Sequence, residues 1–181
     1  MKSTSRDKVI LVDKDDNAIG VADKLLAHQH GGSRHRAFSI FILNEKNEIL
    51  LQQRASTKYH AANLWSNTCC SHPQPNESIK LSAQQRLKEE LGLKADLHHI
   101  GTVEYKTEVT ENLTEWEIDH LFLGRYNGQT LSLNPAEVSD IRWITIDKLL
   151  KNLEEEPKHF TPWLAFILPQ LKNSLECIHI E

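Results

Sequence analysis

The stretch IKLSAQQRLKEELGL, residues 79–93, contains the clearest helical pattern in the chain. Its apolar residues recur at every fourth position and therefore share one helix face: Ile79, Ala83, Leu87 and Leu91. Gly92 follows and predicts the helix end, because glycine adopts the left-handed conformation without strain. We expect Glu90 to flank the apolar face and not to point into open water. The stretch predicts an amphipathic helix that packs on the rest of the domain.

Strand patterns lie on both sides of this helix. The predicted strands are residues 9–12, 18–21, 37–43, 49–54, 67–70, 100–107, 115–123 and 141–144. The first two form a hairpin across a polar turn. Other helices are predicted as a short one that ends at residue 28, one at residues 146–153, and one that begins at residue 160. Strands and helices do not alternate strictly, so we predict an α+β fold and not a doubly wound parallel sheet.

The composition is that of an ordinary globular domain. The chain has 181 residues, with 39% hydrophobic and 25% charged, which predicts a single domain with a flexible N-terminus at residues 1–8. The net charge of −4 argues against a general nucleic-acid binder. We expect no signal peptide and no membrane span. Three cysteines, two of them adjacent, do not suggest a secreted disulfide framework, so we expect a cytoplasmic protein.

Side chains that could take part in catalysis or bind metal are concentrated in residues 67–73, NTCCSHP. Cys70 offers a thiol two residues before the imidazole of His72. In a later strand, the period of two places Glu115 and Glu117 on the same face. The thiol and the imidazole, with the carboxylates of Glu89 and Glu90 near the end of the helix that follows, suggest chemistry on a charged, metal-bound substrate. The alternative is an apolar strand with small buried cysteines, followed by a loop.

Residues 71–93 resemble a degraded Nudix box. The Glu-Glu-x-Gly-aliphatic end is intact, but Ser71, Gln85 and Arg86 replace the initial glycine and the Arg-Glu pair of the family pattern. Nudix hydrolases have a metal-binding glutamate at the position that Arg86 occupies in this chain. The resemblance implies the Nudix fold and argues against ordinary diphosphate hydrolysis.

One Nudix subfamily accounts for these departures. The chain is similar to the type I isopentenyl-diphosphate Δ-isomerases, which have the Nudix fold but do not hydrolyse. The matching segments are residues 26–28, 35–39, 50–54, 66–73, 86–92, 115–119 and 161–163. Many members have Pro-Gly where this chain has Ala62-Asn63, which puts the shape of the loop at residues 59–65 in question. The resemblance implies mixed sheets sandwiched by helices, with the N-terminal hairpin as an extension.

The resemblance also implies a reaction, namely the 1,3-allylic proton shift between isopentenyl and dimethylallyl diphosphate without a flavin. By this resemblance Cys70 and Glu117 are the two acid/base groups, and the order in which they act stays open. We prefer Cys70 to Cys69 because it lies two residues before the motif histidine, and strand neighbours face opposite ways. Tyr105 corresponds to a tyrosine that hydrogen-bonds the active carboxyl, and Trp163 to the aromatic that faces the cation-like carbon.

Two cation sites and an anion clamp follow from the same resemblance. The first site holds Mn²⁺, Mg²⁺ or Zn²⁺ on three imidazoles and two carboxylates: His28, His35, His72, Glu115 and Glu117. At the second site, Glu90 binds the Mg²⁺ that accompanies the substrate diphosphate. The basic clamp for this diphosphate is Lys24, Arg54, Lys58 and Arg86. Without the family, each clamp residue reads as an ordinary surface cation, and the paired glutamates as a solvated strand face.

Two other functions are compatible with parts of the sequence. A Nudix pyrophosphohydrolase of nucleotide diphosphates would use Glu89 and Glu90 but lacks the carboxylate at Arg86. A non-enzymatic Nudix-fold module would bind a ligand without turnover, which the complete set of Cys, Glu and His positions disfavours. The expected partner is a small-molecule diphosphate, with no nucleic acid and no membrane. We expect a monomer or a weak homodimer.

Overall fold

A computed structural model describes residues 6–178, which form nine β-strands and four α-helices. The strands are β1 (Lys8–Val12), β2 (Ala18–Asp23), β3 (His35–Leu43), β4 (Ile49–Arg54), β5 (Trp65–Ser66), β6 (Cys69–Ser71), β7 (His98–Thr110), β8 (Leu113–Arg125) and β9 (Val138–Ile144). The helices are α1 (Lys24–His28), α2 (Ile79–Leu91), α3 (Ile146–Glu155) and α4 (Leu164–Ile178). Of the predicted flexible N-terminus, residues 1–5 lie outside the described residues, and Lys8 already belongs to β1.

The strands of the described chain form one mixed sheet with β3 at its centre. β3 pairs antiparallel with β1, β4 and β6, and parallel with β8. The parallel register places His35 opposite Glu117. β7 runs antiparallel to β8 and places Tyr105 opposite the same glutamate, while β9 pairs with β4. The sheet register therefore brings side chains from three strands to one place.

Helices cover both faces of the sheet, because successive residues of β3 point to opposite sides. Phe38 and Ile40 pack with Leu87 of α2 in one core. Phe41 packs with Leu164 of α4 in the other. The predicted α+β fold, with a mixed sheet between helices and an N-terminal hairpin of β1 and β2, is confirmed. Among residues 6–178, no helix combines the length and the apolar character that a bilayer crossing requires.

The last helix begins later than the sequence pattern predicts. α4 starts at Leu164, so Pro162 lies in a turn before the helix and not in its first turn. Phe160 forms a parallel bridge with Trp65, and the backbone N–H of Thr161 donates to the carbonyl of Trp65. These contacts with β5 hold residues 160 and 161 in an extended conformation. The prediction of a helix from residue 160 is wrong because a tertiary contact outweighs the local pattern.

The strand predicted at residues 67–70 forms only from Cys69 onwards. The Thr68 hydroxyl accepts a hydrogen bond from Ile42 N at 2.9 Å and donates one to Leu50 O at 2.6 Å. The Thr68 side chain thus bonds the backbones of β3 and β4 at a position where strand pairing was predicted. Residues 67 and 68 are therefore not in a strand, and β6 begins at Cys69.

Gly92 ends α2 in the predicted left-handed conformation, with φ of 68°. A Cβ at this position would lie 2.8 Å from Ser132 Cβ. We expect Gly92→Ala to lower the free energy of unfolding by about 2–4 kcal/mol through backbone strain and overpacking. Urea unfolding followed by circular dichroism measures the loss. Gly128→Ala is the control, because φ there is 77° but no atom lies within 4 Å of the added carbon. Equal losses in the two variants would contradict the role of Ser132.

Candidate active site

Three histidines and two glutamates meet in a buried cluster. Their ligand atoms all lie within 4.8 Å of one another, and they belong to the predicted set His28, His35, His72, Glu115 and Glu117. His28 Nε2 lies 2.9 Å from Glu115 Oε2, and His72 Nε2 lies 2.8 Å from Glu117 Oε1. His35 Nε2 lies 3.3 Å from the same Glu117 oxygen. The fold thus brings together five residues from distant parts of the chain.

Each ligand is placed by the end of an element or by strand alternation. Glu115 and Glu117 share one face of β8 because successive strand residues alternate sides. His35 is the first residue of β3, directly opposite Glu117 in the parallel ladder. His28 is the last residue of α1, and His72 follows β6. The loops at these ends converge on the paired glutamates.

The tautomers of two histidines favour a cation at the centre of the cluster. His28 Nδ1 donates to the carbonyl of Lys24 at 2.6 Å, and His35 Nδ1 donates to the carbonyl of Ser33 at 2.7 Å. A neutral ring with this tautomer carries its lone pair on the inward Nε2 atom, as in histidines that bind metal. His35 Nε2 lies 3.2 Å from His72 Nε2. Imidazole lone pairs beside two carboxylates form a donor set that fits a divalent ion.

The charge states of His72 and Glu117 agree with this interpretation, whereas at His28 burial is outweighed by the hydrogen bond and charge of Glu115, which raise the pKa of the ring. Burial, together with the nearby Lys24 cation, lowers the pKa of His72 well below its usual range, so this imidazole is neutral. Burial opposes ionisation of Glu117, but hydrogen bonding with His35 outweighs it and lowers the pKa of the carboxyl to about 2. Neutral imidazole and carboxylate are the forms that bind a metal ion.

A small cavity adjoins the cluster, with a free volume of about 50 Å³. Its walls include ten of the residues predicted for the site: Lys24, Arg54, Lys58, Cys70, His72, Arg86, Tyr105, Glu115, Glu117 and Trp163. The predicted acid/base pair, the predicted aromatic residue and the four predicted clamp cations therefore share one space. His28 and His35 lie behind this wall, fully buried.

Cys70 and Cys69 face opposite cores, as the strand period predicts. Cys69 is fully buried in the core beneath α2, whereas Cys70 lines the cavity. Burial raises the pKa of the Cys70 thiol to about 12, although the Arg54 guanidinium opposes this shift. The thiol is therefore protonated at neutral pH and can serve as a proton donor.

Tyr105 and Trp163 are positioned by hydrogen bonds. The Tyr105 hydroxyl donates to Glu117 Oε2 at 2.5 Å, across the β7–β8 ladder. Trp163 Nε1 donates to Asn67 Oδ1 at 3.4 Å, and the Arg54 guanidinium lies 5.2 Å from its ring centroid. Both aromatic side chains are almost fully buried. The geometry places Tyr105 against the carboxylate and the Trp163 ring against the cavity.

Two of the four clamp cations, Lys58 and Arg86, are already paired with carboxylates. Arg86 contacts Glu90 Oε1 at 2.5 Å and Glu137 Oε1 at 3.3 Å, and Lys58 contacts the other oxygen of Glu137. Glu90 is 3% exposed, and its second oxygen accepts a hydrogen bond from Gln52 at 3.0 Å. Glu90 thus lies behind Arg86 and outside the five-residue cluster. Glu137 is a neighbour of the clamp that the sequence analysis did not predict.

His60 is the second residue that the sequence analysis missed. It lies in the loop between β4 and β5, is 6% exposed, and lines the cavity. Its Nε2 atom lies 3.3 Å from Glu115 Oε1. Burial lowers the pKa of His60 to about 3, so the ring is neutral. The only sequence signal is its position two residues after Lys58 of the predicted clamp.

The loop that departs from the family pattern has a defined shape. Asn63 adopts a left-handed conformation with φ of 62°, which asparagine tolerates better than most residues other than glycine. Ala61 is also left-handed, with φ of 48°. Arg54 holds this turn, because its Nε donates to Ala61 O and its Nη2 to His60 O, both at 3.2 Å. The clamp arginine therefore also supports the loop.

Comparisons with known proteins agree with the geometry. The family model of the NUDIX domain matches residues 33–164. A solved structure of a Deinococcus radiodurans protein, DR0079, is similar with a TM-score of 0.74 over 90% of this chain and 98% of that chain. Its sequence identity is 17%, so it shows the fold alone.

Curated relatives are much more similar in sequence. Isopentenyl-diphosphate Delta-isomerase 1 of Aromatoleum aromaticum is 46% identical over 158 residues, which cover 87% of this chain and 88% of that protein. Isopentenyl-diphosphate Delta-isomerase 2 of the same organism is 42% identical over 165 residues, which cover 91% and 86%. These relatives match over most of both chains. The chain therefore belongs to the isopentenyl-diphosphate Delta-isomerase family, on a NUDIX fold.

Proposed function

We propose that this protein interconverts isopentenyl diphosphate and dimethylallyl diphosphate by a 1,3-allylic proton shift. One observation carries the proposal: the Cys70 thiol and the Glu117 carboxylate line the same buried cavity, whose walls also contain four cationic side chains. A neutral thiol can give a proton, a carboxylate can take one, and the cations suit a diphosphate. The names of the similar curated proteins support the same substrate pair.

The proton balance requires two groups. One group adds a proton to the terminal methylene carbon of the alkene, and the other removes a proton from the methylene two carbons away. The double bond moves by one position, and no net proton is gained or lost. We assign these roles to Cys70 and Glu117 jointly. An alkene is a very weak base, so the acid must be close and water excluded, and the burial around both groups supports this.

The cation-like tertiary carbon between the two proton positions needs an electron-rich neighbour. Trp163 lines the cavity and is held by its hydrogen bond to Asn67. An aromatic face near a desolvated cation contributes about 0.5–2 kcal/mol. We propose that the Trp163 ring and the Glu117 carboxylate stabilise this charge from two sides.

The cluster residues would hold one divalent ion, and we propose Mn²⁺, Mg²⁺ or Zn²⁺: His28, His35, His72, Glu115 and Glu117. Such an ion supplies a fixed positive charge that orients the Glu117 carboxylate and sets its proton affinity. Tyr105 donates to the other oxygen of Glu117 and restricts its rotation. The hydrogen bond from Tyr105 thus fixes Glu117 Oε2, and Glu117 Oε1 remains directed at the histidines of the cluster.

The diphosphate would replace carboxylates as the partner of the clamp. Lys58 and Arg86 each bind one oxygen of Glu137, the arrangement that a bridging phosphate would reproduce. We propose that they turn to the diphosphate, together with Lys24 and Arg54. Glu90 would then be released by Arg86 to bind the substrate's Mg²⁺ through an oxygen.

A deuterium-exchange experiment tests the reaction class. Isopentenyl diphosphate is incubated with the protein in D₂O and followed by NMR. The proposal predicts dimethylallyl diphosphate that carries deuterium, and no released phosphate. Phosphate or nucleoside monophosphate released from a nucleotide panel, without isomerisation, would support a pyrophosphohydrolase instead. Binding without turnover of either kind would support the non-enzymatic module.

We expect Tyr105→Phe to lower kcat by about 10–100-fold, because it removes a charge-assisted hydrogen bond worth about 1.5–3 kcal/mol. The bond in question is the one donated to Glu117 Oε2 at 2.5 Å. Steady-state kinetics of isomerisation measure the loss. The matched control is Tyr126→Phe, whose hydroxyl donates to Gln129 O outside the cavity. An unchanged kcat in the Tyr105 variant would contradict its role on Glu117.

We expect removal of divalent ions to abolish isomerisation and to lower the melting temperature. A ligand at 100 times its Kd stabilises the native state by about 2.7 kcal/mol, which is lost on chelation. Elemental analysis of protein reconstituted with Mn²⁺, Mg²⁺ or Zn²⁺ and freed of excess ion should find one equivalent of divalent metal per chain, and Glu115→Gln should reduce it. Full activity after exhaustive chelation, in protein shown to be metal-free, would contradict the proposed site.

The thiol of Cys70 must stay reduced to donate its proton, and Cys69 and Cys70 are both free. We therefore propose a reducing, cytoplasmic location. Separately, we propose that the protein acts as a monomer or a weak homodimer. Size-exclusion chromatography with light scattering tests the oligomeric state.

A further inference from the structure

We propose that His60 is a positioning residue that couples occupancy of the metal cluster to the order of the clamp loop, residues 55–64. The inference rests on the proposed metal site and clamp. His60 is almost fully buried, and no group in the described part of the chain bonds its Nδ1 atom. A buried imidazole without a full set of partners needs a structural or functional reason.

His60 lies beside the Glu115 oxygen that does not face His28. Glu115 Oε2 faces His28 Nε2 at 2.9 Å, and Glu115 Oε1 faces His60 Nε2 at 3.3 Å. The two oxygens of one carboxylate therefore face two different histidines. Glu115 Oε1 lies within ion-pair distance of His60 Nε2, so a small rotation of the His60 ring with its proton on Nε2 would let it donate to this oxygen and fix the orientation of Glu115. Outer contacts of this kind fix the geometry of ligating carboxylates.

His60 is also the point at which the clamp loop enters the site. Its backbone carbonyl accepts from Arg54 Nη2 at 3.2 Å, and its ring centroid lies 6.0 Å from that of Trp163, nearly edge-on. Lys58, two residues earlier, carries its cation to Glu137 on the other side of the loop. Movement of the His60 ring would therefore displace two clamp cations together. Among the described residues, His60 is the one basic side chain of this loop whose nitrogen lies within 4 Å of a cluster carboxylate, that of Glu115.

This connection has a thermodynamic consequence. A metal ion that fixes Glu115 also fixes the partner of His60, and with it the loop that binds the diphosphate. Coupling between two binding sites is reciprocal, so the ordered loop must in turn strengthen metal binding. We expect Mn²⁺ to order residues 55–64, and inorganic diphosphate to bind more tightly to the Mn²⁺-loaded protein than to the metal-free protein.

Hydrogen exchange of the full-length protein, with no substrate present, tests the coupling. Exchange at residues 55–64 is followed by mass spectrometry with and without saturating Mn²⁺, and Mn²⁺ affinity is measured by calorimetry. In the wild type, Mn²⁺ should slow this exchange. In His60→Ala, the Mn²⁺ affinity should fall about 10–100-fold and the protection at saturation should be lost. His60→Gln keeps an N–H donor and should recover part of both effects. His98→Ala, at an exposed histidine, is the matched control.

Each outcome is decisive. Equal Mn²⁺ protection of residues 55–64 in the wild type and in both His60 variants would overturn the inference. If His60→Ala does not fold, His60→Leu takes its place, because leucine fills the space but has no N–H donor. Reduced Mn²⁺-dependent protection in His60→Leu would support the inference, and full protection with unchanged Mn²⁺ affinity would overturn it. A wild-type protein that binds none of Mn²⁺, Mg²⁺ and Zn²⁺ would overturn both the metal site and this inference. Absence of isomerisation with intact coupling would instead contradict only the proposed function.

Discussion

Replacing Glu117 with glutamine is expected to lower kcat for isomerisation by about 10²–10⁴-fold, the range that a positioned acid/base group contributes. The amide keeps the shape of the side chain but cannot exchange a proton with the substrate. It also turns one ligand oxygen of the buried cluster from charged to neutral, so bound metal should decrease as well. Both losses act on the same step, which is why we expect this change to have the largest effect.

The experiment combines kinetics with elemental analysis of the same preparation. Loss of kcat at full metal content, in protein reconstituted with excess Mn²⁺, isolates the acid/base role from the ligand role. Glu104→Gln is the control, because this carboxylate lies on the neighbouring strand β7 but bonds Arg34 and Trp116 outside the cavity. If Glu117→Gln retained more than a tenth of the wild-type kcat, the assignment of Glu117 would be wrong.

Cys70→Ala is expected to lower kcat by a similar factor of about 10²–10⁴, because it removes the second acid/base group. Burial keeps the Cys70 thiol protonated, with a pKa of about 12, so the proton that it carries is available at neutral pH. Alanine lacks only the sulfur atom and should fit the site without strain. Binding of the diphosphate should survive, since the clamp cations are unchanged.

Cys69→Ala is a close control for this variant. The two cysteines are adjacent, and Cys69 is fully buried on the opposite side of the strand, beneath α2. This substitution should cost about 0.5–3 kcal/mol of stability, the range of ordinary core substitutions, and leave kcat nearly unchanged. Deuterium incorporation is measured for both variants in D₂O. Loss of isomerisation in Cys69→Ala, with activity retained in Cys70→Ala, would reverse the assignment.

Local patterns in the sequence predicted those parts of the protein that local physics controls. The fourfold apolar spacing of residues 79–91 and the glycine that follows them predict α2 and its end, because a helix closes its own hydrogen bonds. Alternation in β8 places Glu115 and Glu117 on one face for a similarly local reason. The resemblance to a known family supplied the candidate residues, and all but Glu90 lie in the cluster or along the cavity.

Contacts between distant segments decided the rest. Helix α4 begins at residue 164 because Phe160 and Thr161 pair with Trp65, nearly a hundred residues earlier. His60 reaches Glu115 only because Arg54 folds the loop back, and Glu137 reaches Lys58 through the turn before β9. Such contacts depend on sheet register and loop closure, which no short window of sequence contains. The sequence by itself determined which elements form and which chemical groups they carry, whereas the tertiary structure decided which of those groups meet, because distance along the chain says little about distance in space.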